Sequence, residues 1–257
     1  MSEVHVDLGL TDKVALVTGG SGSMGSAVCR CLGAEGARVA IAYHSGRKEA
    51  ERLAAEVCEG PGDAVVVHHD LEDPASIEEG VRSVTDLWGG PDILVASAWR
   101  QPPWAGGPGP VDPSPPDVWE QQLRVNLEGT SHCVQAVVPA MRSRGWGRIV
   151  LVSSGAAEDG GAGMEAYAGA KAALHGFARS LSQSLGAVVL TNVVVPGFLM
   201  TERNRRNVPA PVLEHWASLT PTGRLATAEE VARVAVFLAS PANGSVNGAA
   251  VRISGGR

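Results

Sequence analysis

The chain has no run of roughly 20 apolar residues, the length a membrane-spanning helix requires, so no membrane span is expected. Met1 to Thr11 carries Glu3, His5 and Asp7 with no basic stretch leading into an apolar core, and no secretory signal is expected. Basic residues are in the minority: 21 Lys and Arg face 27 Asp and Glu, giving a net charge of −6, and no long basic block occurs. A nucleic-acid surface needs a clustered positive field to displace counterions from phosphates, so that function class is excluded. Cysteine is scarce as well. Cys29, Cys31, Cys58 and Cys133 include no Cys-x-x-Cys pair and no partnering histidines at zinc spacing. Reduced thiols, a cytoplasmic location and no bound metal are therefore expected. With repeats and low-complexity tails also missing, the balance points to small-molecule chemistry.

What is present is alternation. Hydrophobic residues make up 44% of the 257, enough for one large α/β core. Short β-branched runs alternate with longer amphipathic stretches along the whole chain, the pattern of a parallel sheet covered on both faces. Strands are predicted at Lys13 to Thr18, Ala37 to Tyr43, Ala64 to His68, Asp92 to Ser97, Arg148 to Ser153, Val188 to Val195 and Ala249 to Ile253. Several are nearly all apolar, as strands buried on both faces must be. Helices are predicted near Met24 to Glu35, Arg47 to Glu59, Pro74 to Trp88, Asp117 to Arg142, Glu165 to Leu185 and Ala228 to Leu238. The expected fold is a single α/β domain over residues 1–257, of Rossmann type: a doubly wound, seven-stranded parallel sheet with helices on both faces. Ligands are then expected beyond the carboxyl ends of the strands. Three segments break the alternation: the Pro- and Gly-rich residues 99–116, the mostly small residues 155–163, and residues 198–224. Each follows a strand, so the three are expected to converge on one pocket, the last as a lid.

The first predicted strand runs into Thr18-Gly19-Gly20-Ser21-Gly22-Ser23-Met24-Gly25 and then a helix. Glycines there allow a sharp turn and the close approach of backbone N–H groups to a pyrophosphate at the positive helix N-terminus, which makes Gly19, Ser21, Ser23 and Met24 candidate cofactor contacts. Tyr43 stands at the end of the second strand, where an acidic residue would grip the ribose 2′-hydroxyl of NAD. His44, Ser45, Arg47 and Lys48 follow it, and cationic and hydroxyl groups at this place accommodate a 2′-phosphate. NADP(H) is the expected cofactor, with NAD(H) the alternative. Asp70 is positioned either to receive an adenine amino group or to cap the turn before Pro74, and Leu71 and Ala98 complete this candidate cofactor lining.

The stretch from Ser153 to Lys171 contains Tyr167-Ala168-Gly169-Ala170-Lys171 on a predicted helix. A spacing of four puts phenol and ammonium on one face. A free tyrosine, with a pKa of about 10, exchanges protons poorly near neutrality, and a nearby positive charge favours its phenolate. That tuning is what an acid–base catalyst needs. Ser154 ends a buried strand and is placed to bind a substrate oxygen, and Asn126 lies in the preceding helix.

These residues resemble the classical short-chain dehydrogenases/reductases, and within them the 3-oxoacyl carrier-protein reductases. The resemblance runs from Lys13 to Gly256. The family's serine lies thirteen positions before its tyrosine, which selects Ser154 over Ser153 here. The resemblance implies a catalytic tetrad. Ser154 orients the carbonyl, Tyr167 donates the proton during reduction, Lys171 tunes the tyrosine and binds the nicotinamide ribose, and Asn126 holds a water in a proton relay. Val125-Asn126 matches the family's asparagine motif, and Pro196-Gly197 with Thr201 looks like its nicotinamide segment. Gly223-Arg224-Leu225, Val246-Asn247-Gly248 and Ser254-Gly255-Gly256 also resemble this branch, which implies a homo-oligomer, a tetramer or else a dimer. The implied activity is NADPH-dependent reduction of a β-ketoacyl thioester or polyketide-like carbonyl, on a small or carrier-bound acyl substrate. An NAD(P)-dependent alcohol or hydroxysteroid-type dehydrogenase and a non-catalytic supporting subunit are the alternatives.

The chain departs from the family pattern in several places. Ser23 replaces the second glycine of the turn, and Gly22 stands where NADP-preferring relatives place arginine. The Asn-Asn-Ala-Gly motif reads Ala96-Ser97-Ala98-Trp99. Trp99 and Trp104 either cover apolar surface or wall a pocket for a flat or hydrophobic substrate. The connection from Leu185 to Asn192 is about one residue short of the family's. On the lid, Arg203, Arg205 and Arg206 either form a solvated basic face or steer an acidic carrier protein or phosphopantetheine arm.

Overall fold

The structure, a computed structural model, describes residues 7–100 and 116–257. Trp104 lies outside the described residues. The described residues form seven strands: β1 (Val14–Thr18), β2 (Arg38–Tyr43), β3 (Asp63–His68), β4 (Ile93–Ala96), β5 (Gly147–Val152), β6 (Val189–Pro196) and β7 (Ala250–Ile253). They form one sheet in the order β3-β2-β1-β4-β5-β6-β7, and every neighbouring pair is parallel. The expected doubly wound architecture is observed, and each strand end falls within one residue of its expected place. β1, β4, β5 and β6 are buried throughout, whereas the edge strands β3 and β7 are partly exposed.

Alternation along each strand divides the core into two layers. Ala15 and Val17 of β1 face a cluster built from α1 (Ser23–Ala34), α2 (Arg47–Cys58) and α10 (Ala228–Ala239). Val14 and Leu16 face the other cluster, to which α3 (Pro74–Trp88), α5 (Thr130–Arg144) and α7 (Glu165–Leu185) contribute. The caps are local and legible. Asp73 accepts from the Ala75 N–H ahead of Pro74 at the start of α3. Thr227 and Glu230 form a reciprocal capping box at α10.

The structure differs from expectation in two regions. The helix expected from Asp117 to Arg142 is α4 (Pro116–Leu123), a π-helical segment (Arg124–Gly129) and then α5. Two segments expected to be irregular contain short helices: α6 (Ala156–Asp159), and α8 (Glu202–Asn207) with α9 (Ala210–Ser218) in residues 198–224. α8 owes its start to Thr201, whose Oγ1 accepts from the Asn204 N–H, and is braced by the Arg206–Glu202 pair at 2.8 Å. No helix among the described residues is long and apolar enough to cross a membrane.

Candidate active site

Of the residues expected at the site, Tyr43 ends β2, and Gly19, Asp70, Ala98, Ser154 and Gly197 lie one or two residues beyond the ends of β1, β3, β4, β5 and β6. The sheet changes winding direction between β1 and β4, and this switch point opens the crevice in which open α/β sheets hold ligands.

On the catalytic side, Ser154 follows β5 and its Oγ accepts from the Ala156 N–H at 3.2 Å, starting the α6 turn. Tyr167 and Lys171 share the inner face of α7, with the Lys171 Nζ 6.0 Å from the phenol ring centre. Both are buried, at 8% and 2% exposure. Lys171 donates to the Val152 carbonyl at 2.9 Å, and burial without a carboxylate partner pulls its pKa down to about 7. The expectation that this ammonium draws the phenol toward neutrality is corrected by the geometry. Burial pushes the Tyr167 phenol above its ordinary value, and a hydrogen bond from the Ser154 hydroxyl offsets only part of that rise. Asn126 is fully buried within the π-helical segment, a conformation common where a helix must present a functional residue. Its amide is committed to protein: Oδ1 accepts from the Arg100 N–H at 3.2 Å, while Nδ2 donates to the Gln122 Oε1 at 3.0 Å and to the Arg100 carbonyl at 3.4 Å.

On the cofactor side, Gly19 adopts φ +63° and lies against Ala98, where a Cβ would come within 2.8 Å of the Ala98 Cα. Gly25 opposes the Gly19 carbonyl so closely that any side chain there would overlap it. The turn is thus closed backbone to backbone. α1 then begins with no side-chain cap and no acidic residue in its first turn, so the N–H groups of Ser23, Met24 and Gly25 lie outside the helical ladder. Uncapped donors at a positive helix end suit a pyrophosphate. The replacement of a glycine by Ser23 is accommodated as the first residue of α1. Ser21 abuts Gly46, which joins this turn to the loop after β2.

Tyr43 is buried in the core and meets His68 edge to face at 5.7 Å. His44 is exposed and lies 3.6 Å from the Asp70 Oδ2, while Asp70 Oδ1 accepts from the Glu72 N–H. Asp70 therefore does stabilise the turn before Pro74. Arg47 is exposed and pairs with Glu51 one turn on, at 2.8 Å. Leu71 is buried with its carbonyl against Gly129, and Ser45 is exposed. At the other end, the Pro196 carbonyl accepts from the Gly155 N–H at 2.7 Å, and the Gly197 N–H donates to the Ile253 carbonyl at 3.0 Å. These two bonds tie the segment after β6 to the Ser154 loop and to β7. Thr201 serves as the α8 cap. On α8, Arg205 and Arg206 both pair with Glu202, which tempers the positive field expected there. No group of three or more His, Cys, Asp or Glu among the described residues could hold a metal ion.

Several supporting residues escape sequence reasoning. The Thr18 Oγ1 accepts from the Ala98 N–H at 3.1 Å, binding the end of β4 to β1. Ser153 donates to the Lys171 carbonyl and contacts the His175 Nε2, both at 2.9 Å. Gln122 orients Asn126. The Gln122–Asn126 and Lys171–His175 spacings of four are the one signal that could have found two of these residues.

Comparison with known proteins identifies the family. A family model described as enoyl-(acyl carrier protein) reductase matches residues 19–257. The 3-oxoacyl-(acyl-carrier-protein) reductase FabG of Pseudomonas aeruginosa is 35% identical over 253 residues, covering 97% of this chain and 98% of the relative. The acetoacetyl-CoA reductase of Shinella zoogloeoides is 34% identical over 247 residues, covering 95% and 98%. Among solved structures, a variant of a Serratia marcescens short-chain dehydrogenase/reductase superposes with a TM-score of 0.87 at 31% identity, covering 96% of this chain and 98% of that one. The chain belongs to the short-chain dehydrogenase/reductase family of NAD(P)(H)-using oxidoreductases acting on CH–OH and C=O groups, and is similar to its 3-oxoacyl reductases.

Proposed function

We propose that this chain is an NADPH-dependent ketoreductase that converts the carbonyl of a β-ketoacyl thioester or polyketide-like substrate to an alcohol, with Tyr167 as proton donor. The observation that carries this reading is the meeting of the Ser154 hydroxyl with the Tyr167 phenol, one helical turn from the buried Lys171.

Gly19, Ser21, Ser23 and Met24 would hold the pyrophosphate, and Tyr43, His44, Ser45 and Arg47 the 2′-phosphate end. Asp70 and Leu71 would face the adenine, while Ala98, Pro196, Gly197 and Thr201 line the nicotinamide side. Bound there, reduced nicotinamide supplies the hydride. The remaining work falls to the chain's own side chains. Ser154 donates a hydrogen bond to the carbonyl oxygen and fixes its direction. Burial keeps the Tyr167 phenol protonated at neutral pH, so it has a proton to give as negative charge develops on that oxygen. Lys171, close to half protonated near pH 7, stabilises the phenolate left behind and can pass a proton back to it. The Asn126 side chain holds Arg100 and its backbone carbonyl accepts from the Thr130 Oγ1 at 3.4 Å, so a relay water would take the remaining lone pair of that carbonyl. We read the protein as a single-domain, cytoplasmic homo-oligomer with residues 198–224 as its lid.

The test is NADPH oxidation with short 3-oxoacyl thioesters. Turnover is expected, and Tyr167→Phe should lower kcat by about 10²–10⁴-fold. No turnover across the thioesters removes the substrate assignment, and an active Tyr167→Phe removes the proton donor.

A further inference from the structure

Trp99 stands just past β4, one residue beyond Ala98. Its indole is 47% exposed, yet it lies 5.9 Å from the ring of the buried Tyr167, with the planes inclined at 58°. A tryptophan that served only to fill a structural turn would be covered, because leaving such a ring half in water forfeits much of its contact area. The backbone on either side of this one is instead tied down. On one side, the Ala98 N–H donates to the Thr18 Oγ1 at 3.1 Å. On the other, the Arg100 N–H and carbonyl are both bound by the Asn126 amide, and the Arg100 guanidinium meets Glu72 at 3.3 Å. Trp99 thus sits between two pinned peptides, half exposed and in ring contact with the phenol.

We infer that Trp99 is a specificity-determining residue, and that the substrate carries a flat conjugated or aromatic ring next to its carbonyl, stacked on this indole while the carbonyl oxygen meets Tyr167 and Ser154. The inference rests on the ketoreductase reading above and narrows its substrate range from linear acyl thioesters to ring-bearing, polyketide-like carbonyls. Aromatic rings prefer offset or tilted pairing with centres 4.5–7 Å apart, and the Trp99–Tyr167 pair already has that spacing. A planar ring arrives with little conformational freedom to lose, whereas a linear acyl chain must freeze several torsions to cover the same surface. Asn126 acts here as a positioning residue, since its amide sets where the Trp99–Arg100 peptide runs.

The experiment uses the full-length enzyme with α-tetralone, a bicyclic aryl ketone, and an acetoacetyl thioester. Wild type, Trp99→Ala and Trp99→Phe are compared by steady-state kinetics with NADPH, and by calorimetric binding of α-tetralone. The ratio of kcat/KM for ketone over thioester should fall at least about tenfold in Trp99→Ala, chiefly through KM, and be largely restored in Trp99→Phe. Ketone affinity should fall by the same factor. Equal losses on both substrates, a loss confined to kcat, or ketone binding indifferent to Trp99 would overturn the inference. So would a gain in NADPH affinity in Trp99→Ala, which would put the indole in the cofactor's space. Ketone binding that depends on Trp99 in a protein that reduces no carbonyl would uphold the stacking role and refute the ketoreductase reading.

Discussion

Replacing Lys171 with methionine should make the protein more stable at neutral pH while destroying its chemistry. Lys171 is 2% exposed, and its ammonium is met by the Val152 carbonyl rather than by a carboxylate. Burial lowers its pKa from the ordinary 10.5 to about 7. The unfolded chain keeps the ordinary value, so between these two limits the unfolded state binds a proton that the folded state has given up. Folding stability therefore falls as pH drops through this window. At about 1.36 kcal/mol per pH unit, the charged side chain costs the fold about 4 kcal/mol at pH 7 and about 5 kcal/mol at lower pH. Methionine has a similar length and no charge, so it relieves that cost. It also leaves the Val152 carbonyl without its donor, at about 1–3 kcal/mol. The net expectation is a gain of about 1–3 kcal/mol at pH 7 that shrinks as pH rises and changes sign near about pH 9. For a chain of this size, each kcal/mol moves Tm by roughly 2–4 °C. Paired urea and thermal denaturation of the two proteins across this pH range reads the effect directly. A Lys171→Met protein that is less stable than wild type at neutral pH, or a difference that does not vary with pH, would refute the reasoning.

Three further outcomes are expected. Gly25→Ala drives a methyl group into the Gly19 carbonyl and should cost about 1–3 kcal/mol, with weakened NADPH binding by calorimetry; an unchanged Tm would mean that the turn is not closed as described. Thr227→Ala removes the α10 capping box and should cost about 1 kcal/mol, seen as a lower urea midpoint at constant m-value. Arg47→Glu should raise the KM for NADPH about tenfold while changing that for NADH far less, since only the former carries a 2′-phosphate; equal changes would remove Arg47 from that site.

The sheet was legible in the sequence because periodicity reports burial, and burial on both faces leaves strands such as Val14–Thr18 and Val189–Pro196 almost wholly apolar. The Tyr167–Lys171 spacing was legible for the same geometric reason. What escaped is set by contacts between distant segments. The π-helical turn at Arg124–Gly129 is occupied by an Asn126 bonded to Arg100 across 26 residues, and no local pattern encodes that pairing. The phenol's shift was expected in the wrong direction because spacing reveals the neighbouring ammonium but not the depth of burial or the Val152 carbonyl that claims it. Helix α8 was hidden because it is short and depends on Thr201 and Glu202 rather than on an apolar stripe.

The central pairing of β1 with β4 joins Thr18 to Ala96, although β2 and β3 intervene in the chain. As the polypeptide leaves the ribosome, the first three strands can associate while one edge of β1, wholly apolar in its side chains but for Thr18, still waits for its partner. Unsatisfied strand edges recruit other chains, and parallel, non-local pairing closes slowly. An interval of aggregation hazard therefore opens before Asn126, Ser154, Tyr167 or Lys171 has been synthesised. Soluble yield should therefore depend in part on how quickly Ile93–Ala96 follows the first half of the sheet.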